Sequence, residues 1–274
     1  MKILENFYHY LRHTYISARN TPLISTTIRS YYDIINNMLD YAVRCQYIQE
    51  NPNEKIEKPK RAQSNVSCYS DEGARELLLY ILQEPIKYQA IICLTLDLCC
   101  RRGELTGLTW DDIDLTSGRL EINKTTQYAY GEIYEKGTKT VNSERVNYIS
   151  RITLDILKQW KKEQLQQKLL LGPKLEGSNR IFTTDYGADI LPDTPTKIFK
   201  KILKKYNLRE ITFHGLRHTS VSLMIRNGIQ SQLISRKVGP SSVQTTDRIY
   251  SHFFEDQFKD LPNVMDDLIS VEAN

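Results

Sequence analysis

Three short segments of the 274-residue chain carry residue types that handle phosphate and protons. The first is Leu98-Cys99-Cys100-Arg101-Arg102-Gly103-Glu104-Leu105. The second is Thr212-Phe213-His214-Gly215-Leu216-Arg217-His218-Thr219. The third runs through Val238-Gly239-Pro240-Ser241-Ser242, then Thr245-Thr246 and Tyr250-Ser251-His252. Each alone has an ordinary explanation. Arg101 and Glu104, three apart, suit a local ion pair on a helix. His214, Arg217 and His218 share one face of a helix start, where they can cap or bridge, and Tyr250 is one of 17 tyrosines. Together they fit phosphoryl transfer. Two guanidinium groups can grip the non-bridging oxygens of one phosphate through paired N–H bonds. An imidazole beside them can exchange a proton with a phenol, and a tyrosine is a competent nucleophile.

The elements that would carry these residues read as follows. Helices are expected over residues 3–17 and 26–47, the second with Ile28, Tyr31, Tyr32, Ile35, Met38, Leu39, Ala42 and Val43 at helical spacing and Ser25, Thr26 or Thr27 as its cap. Residues 51–65, with Pro52, Pro59, three lysines and Arg61, read as a linker. A domain boundary is placed near residue 62. A helix capped by Ser70 or Asp71 follows, then a nearly all-apolar helix over 88–99. Short strands are expected at 120–123, 133–135 and 146–149, forming a small antiparallel sheet. Helices resume at 153–169, 195–206 and 212–227, the last stopped by Asn227-Gly228. The fold class is therefore mostly α with a small antiparallel β-sheet.

Composition narrows the function classes. With 40% hydrophobic and 26% charged residues, 12 Gly and 9 Pro, the chain is neither disordered nor fibrous. No apolar run reaches membrane length, and no secretory signal is visible at the front. Five cysteines without a C-x-x-C pair argue against a disulfide framework or structural zinc. The formal charge of +4 conceals an uneven distribution. Residues 255–274 hold six acids and one base, so the rest of the chain carries 36 bases against 27 acids, and residues 195–252 alone carry eleven bases and two acids. A basic body of this kind suits a polyanion such as nucleic acid.

In their order along the chain (Arg, then His-x-x-Arg, then Tyr), the three segments closely resemble the tyrosine recombinase, or phage integrase, family. The resemblance runs from about Thr26 to His252, and Gln244-Thr245-Thr246 before Tyr250-Ser251-His252 is similar to integrases of Gram-positive temperate phages and conjugative transposons. It implies a catalytic set of Arg101, Lys139, His214, Arg217 and Tyr250, with Tyr250 as nucleophile and Glu104 and His252 in support. Lys139 sits in Lys139-Thr140-Val141-Asn142-Ser143-Glu144-Arg145, similar to the family's Lys-Thr turn between strands, and Lys136 is the competing choice. The implied reaction cuts and rejoins double-stranded DNA at attachment sites through a 3′-phosphotyrosyl link, without cofactor or metal. The implied setting is a homotetramer on DNA in the bacterial cytoplasm, associated with the nucleoid, with no membrane and with a directionality factor as a further partner. The implied domains are a partial helical core-binding domain and linker over 1–62, a catalytic domain over 63–254, and an acidic tail over 255–274.

Two departures from the family pattern stand out, and the tail has a reading of its own. The family's Leu-Gly-His motif is here Val238-Gly239-Pro240. Proline has no side-chain donor and no N–H, so slow cleavage is expected unless His252 or Lys237 compensates. Residues 1–50 match only the second half of the family's core-binding domain, which suggests an internal start or a shortened gene. In the tail, Leu261, Val264, Met265, Leu268 and Ile269 form one stripe that docks either on a neighbouring subunit or on its own domain. Beside the active recombinase stand two alternatives: an impaired recombinase relic acting only as a DNA-binding module, and a helical regulator in which Tyr250 is structural.

Overall fold

The computed structural model describes residues 2–17, 20–60, 67–137, 144–172 and 177–239. Two compact units divide the chain, Met1–Asn65 and Val66–Asn274.

In the first unit, helix α1 (Lys2–His13) pairs with α2 (Ser25–Arg44). Tyr8 and Leu11 meet Ile28 and Tyr32 in a small core. Helix α1 stops four residues short of the expected end, because Ile16 bridges Pro22 in a tight reversal. The cap of α2 is Ile24, without a side-chain cap bond, while the Ser25 hydroxyl donates to the Lys60 carbonyl at 2.5 Å. The expected linker is also folded at its start. Pro52–Lys55 forms a 3-10 turn, and the fully buried Asn53 accepts from Tyr8 Oη at 2.8 Å through its side chain and from Tyr32 Oη at 2.9 Å through its carbonyl. Two prolines suggest a spacer, but buried asparagine bonding overrides that local signal.

The second unit is built around α4 (Ile86–Leu98), which is buried on nearly every side and carries Ile91, Ile92, Leu94 and Leu98 with no exposed surface. Around it pack α3 (Asp71–Ile81), α6 (Arg151–Leu171), α7 (Thr194–Lys205) and α8 (Phe213–Arg226). Ser70 caps α3 by accepting from the Gly73 N–H, as its position predicts. Trp160 of α6 closes one flank and donates its indole N–H to the Ile181 carbonyl at 2.7 Å. Two further helices are given no range by the sequence: α5 (Arg102–Gly107), where an Arg101–Glu104 ion pair suits a helix, and α9 (Ser231–Val238), six and eight residues long. At one to two turns neither shows enough periodicity to be recognised, and tertiary packing stabilises both.

The strands among the described residues form two antiparallel pairs. Strands β1 (Arg119–Ile122) and β4 (Arg145–Tyr148) pair in one, with Leu120 opposite Asn147 and Ile122 opposite Arg145. Strands β2 (Lys124–Ala129) and β3 (Glu132–Gly137) form a hairpin. Its turn residues Tyr130 and Gly131 both have positive φ, as a two-residue turn that follows the strand twist requires. Strand β2 is hidden in the sequence because its Lys-Thr-Thr-Gln start lacks apolar alternation. Lys136 falls within β3, paired with Thr125, and not in a turn. No helix among the described residues is long and apolar enough to cross a membrane.

Candidate active site

The apolar run of α4 ends at Leu98, and Cys99 then turns the chain with φ +49°. Arg101 follows in extended conformation and caps α5. Helix α5 lies very close to β2. A Cβ on Gly103 would stand 2.6 Å from both Thr125 Oγ1 and the Thr126 carbonyl, and one on Gly107 would stand 3.3 Å from the Lys124 carbonyl. Glycines one turn apart therefore let a helix backbone rest on a strand backbone. Thr106 and Thr126 join their hydroxyls across the same contact.

Glu104, in the first turn of α5, organises the loop. Its carboxylate accepts the Arg101 backbone N–H at 2.9 Å and the Arg101 guanidinium at 2.9 Å. From the other side Arg145 of β4 donates at 2.7 and 3.4 Å. Burial pushes the Glu104 carboxyl up, but the bonds and charges of Arg145 and Arg101 outweigh it and hold the pKa below the usual carboxylate value. A buried carboxylate between two guanidiniums stays ionised. Arg101 itself remains 45% exposed, so its free edge faces solvent.

Helix α8 supplies the second arginine and the histidine. Thr212 caps it by accepting the Gly215 N–H at 3.0 Å. Arg217, one turn in, is buried at 5% exposure and donates to the Cys99 carbonyl at 2.6 Å, a group that the end of α4 leaves without a helical partner. This bond ties α8 to the loop that presents Arg101. Burial and the Arg101 charge both lower the Arg217 pKa, the mark of two like charges brought into one site. His214 keeps an exposed face at the start of the same helix. Partial burial, then Arg217, then Arg101 lower its pKa, so the imidazole is neutral at pH 7 and can accept a proton. His218 stands edge-on to His214 with ring centres 4.7 Å apart, and burial with the neighbouring His214 and Arg217 lowers its pKa to about 4. The thiols of Cys99 and Cys100 are buried and pushed up, which leaves them protonated and poor nucleophiles.

Of the residues singled out from sequence, Arg101, Glu104, His214 and Arg217 gather in one neighbourhood. Lys139, Pro240, Tyr250 and His252 lie outside the described residues, as does the tail 255–274. The structure adds Arg145 and Asn147, to which the sequence alone assigns no role. The strand Arg145-Val146-Asn147-Tyr148 turns its polar residues inward and its apolar ones outward. That inverted alternation is the signal that could have revealed a buried polar contact.

Residues 71–257 match the phage integrase family, and residues 1–57 match the phage integrase SAM-like domain. The chain belongs to the phage integrase family. Among its relatives, the ICEBs1 integrase of Bacillus subtilis is 24% identical over 91% of this chain and 67% of its own length. A tyrosine recombinase XerC-like protein of Caldanaerobacter subterraneus subsp. tengcongensis is 27% identical over 89% of this chain and 66% of its own. The chain thus spans about two thirds of the length of these curated relatives. The solved structure of the Tn1549 transposon integrase in complex with a circular intermediate DNA superimposes with TM-score 0.76 at 16% identity, covering 94% of this chain and 84% of that one. A lambda integrase dimer bound to a core site gives a TM-score of 0.55 at 16% identity, covering 81% and 74%. At such identity these likenesses establish the fold: a tyrosine recombinase catalytic fold, mostly helical with small antiparallel sheets, preceded in sequence by a SAM-like helical unit.

Proposed function

We propose that this phage integrase family member is a site-specific DNA recombinase of a mobile element. The observation that carries the reading is the convergence of Arg101, Arg217 and a neutral His214 on one loop, braced by the ionised Glu104. Two clustered guanidiniums suit a phosphodiester whose non-bridging oxygens gain charge during displacement. In the proposed reaction the Tyr250 oxygen attacks phosphorus, His214 takes the phenol proton, and the bond to the 5′-oxygen breaks. Lys139 supplies the proton that the leaving 5′-hydroxyl requires. The phosphotyrosyl link conserves the phosphodiester, so a second DNA 5′-hydroxyl can attack it and release the tyrosine. The substrate is double-stranded attachment-site DNA. The proposed assembly is a homotetramer on DNA in the bacterial cytoplasm, with a directionality factor selecting integration or excision. The proposed division is a core-binding unit over 1–62, a catalytic domain over 63–254, and a docking tail over 255–274.

Pro240 slows the cut in this reading and favours a second one, in which the chain is an impaired recombinase relic that acts only as a DNA-binding module. Losing one donor to the reacting phosphate costs about 100- to 1,000-fold in rate. The test is a nicked suicide duplex that loses its 5′-hydroxyl strand after cleavage. The wild type is expected to accumulate a denaturation-resistant adduct slowly, Pro240→His faster, and Tyr250→Phe not at all. DNA binding without any adduct, in wild type and Pro240→His alike, would leave only the second reading.

A further inference from the structure

Arg145 does more than neutralise Glu104. Its guanidinium reaches the carboxylate through two nitrogens, while its Nε donates to the Lys237 carbonyl at 3.1 Å. Asn147, two residues along the same face of β4, donates to that carbonyl as well, also at 3.1 Å. Lys237 lies in the last turn of α9, where carbonyls lack helical partners. Helix α9 is seated by Ile234 and Val238 against Val221 and Ile225 of α8 and against Cys99. Gly239 then leaves the helix with φ +84°, and a Cβ there would come within 2.9 Å of the Arg145 guanidinium. The chain thus exits α9 directly over Arg145. One buried guanidinium therefore touches both the carboxylate that sets Arg101 and the helix end from which the chain runs on to Tyr250, eleven residues after Gly239.

We propose that Arg145, with Asn147, is a positioning residue that fixes the exit of the nucleophile-bearing segment relative to the arginine loop. The inference rests on the recombinase reading, with Tyr250 as nucleophile. Arg145 touches no reacting atom in this scheme. Arg145 acts on the exit through the Lys237 carbonyl and on Arg101 through Glu104, whereas Asn147 acts through the Lys237 carbonyl, so the loss of Asn147 falls on the step that needs the tyrosine and not on phosphate stabilisation by Arg101 and Arg217. A fork able to hold a carboxylate and a carbonyl together is a property of arginine, and the single ammonium of lysine cannot reproduce it.

Two reactions separate these steps. Cleavage of the suicide duplex needs Tyr250. Ligation of a DNA 3′-p-nitrophenyl phosphate does not: a 5′-hydroxyl attacks phosphorus, the bond to p-nitrophenolate breaks, and the hydroxyl proton passes to solvent. Asn147→Ala is expected to slow adduct formation by about tenfold or more, with ligation and DNA affinity held within about threefold, and Arg145→Lys is expected to slow adduct formation by more than it slows ligation. Asn147→Ala leaves the Glu104–Arg145 pair intact, so it carries the test alone if Arg145→Lys fails to fold by thermal melting. Cleavage and ligation falling together, or cleavage unchanged, would overturn the inference. A wild type that ligates but forms no adduct would instead overturn the nucleophile assignment beneath it, and the inference with it.

Discussion

At the residue scale, protonation decides which side chains can act. His214 is kept below its ordinary pKa by partial burial and by the positive charges of Arg217 and Arg101. Its neutral form, the one able to accept the phenol proton, therefore dominates at pH 7 and persists to lower pH than a free imidazole would allow. The cleavage rate should stay flat as pH falls from 7.5 to about 6.5 and decline only below the ordinary histidine value. A pH–rate profile on the suicide duplex checks this; a decline already centred above that value would contradict it. His218 has a stability consequence. Its folded pKa of about 4 lies below the ordinary value of 6.5, so on acidification the unfolded chain takes up a proton first. Stability is held above pH 6.5 and lost as pH falls towards 4. His218→Gln should flatten that part of the melting-temperature profile. Glu104 is the other decisive residue. Glu104→Ala leaves Arg145 buried without its carboxylate and should cost about 3–5 kcal/mol, measured by urea unfolding.

At the element scale, the site is built where one short helix meets one strand. Gly103 is the position where α5 touches β2, with backbone and hydroxyl oxygens 2.6 Å from a hypothetical Cβ. Gly103→Ala should therefore lift α5, at a cost of about 1–3 kcal/mol in unfolding free energy, and slow cleavage through displacement of Arg101. The same junction shows where the sequence is legible and where it is not. The long amphipathic and apolar helices α2, α4, α6 and α8 are visible because burial imposes a repeat that many residues share. Arg101, Glu104, His214 and Arg217 are legible as a family pattern. Helix α5, strand β2 and the Glu104–Arg145 pair are not, because each depends on partners distant in the chain. Glu104 and Arg145 are 41 positions apart, and no local periodicity links them. Asn53 makes the same point in reverse: proline-rich surroundings suggest a spacer, yet the residue is fully buried.

At the scale of the whole molecule, charge and length gain meaning from the two units. The modest +4 hides a basic second half. Helix α7 buries Ile198, Phe199, Ile202 and Leu203 and exposes Lys197, Lys200, Lys201 and Lys204 along its outer face. If this face meets DNA phosphates, affinity falls with salt. Replacing Lys200 and Lys201 by Gln should reduce the slope of log affinity against log salt by about 0.9 for each phosphate that is no longer neutralised, measured by titration at several salt concentrations. An unchanged slope would move the DNA-facing surface elsewhere. The two family matches, over 1–57 and 71–257, fall on the two compact units in turn. In the proposed reaction Tyr250 supplies the oxygen that attacks phosphorus, and the arginine loop serves it. The most direct measurement is peptide mapping, by mass spectrometry, of the protein trapped on a suicide duplex. One modified peptide is expected, containing Tyr250 with the nucleotide attached through its phenol oxygen. A modification on any other residue, or persistence of the adduct in Tyr250→Phe, would contradict it.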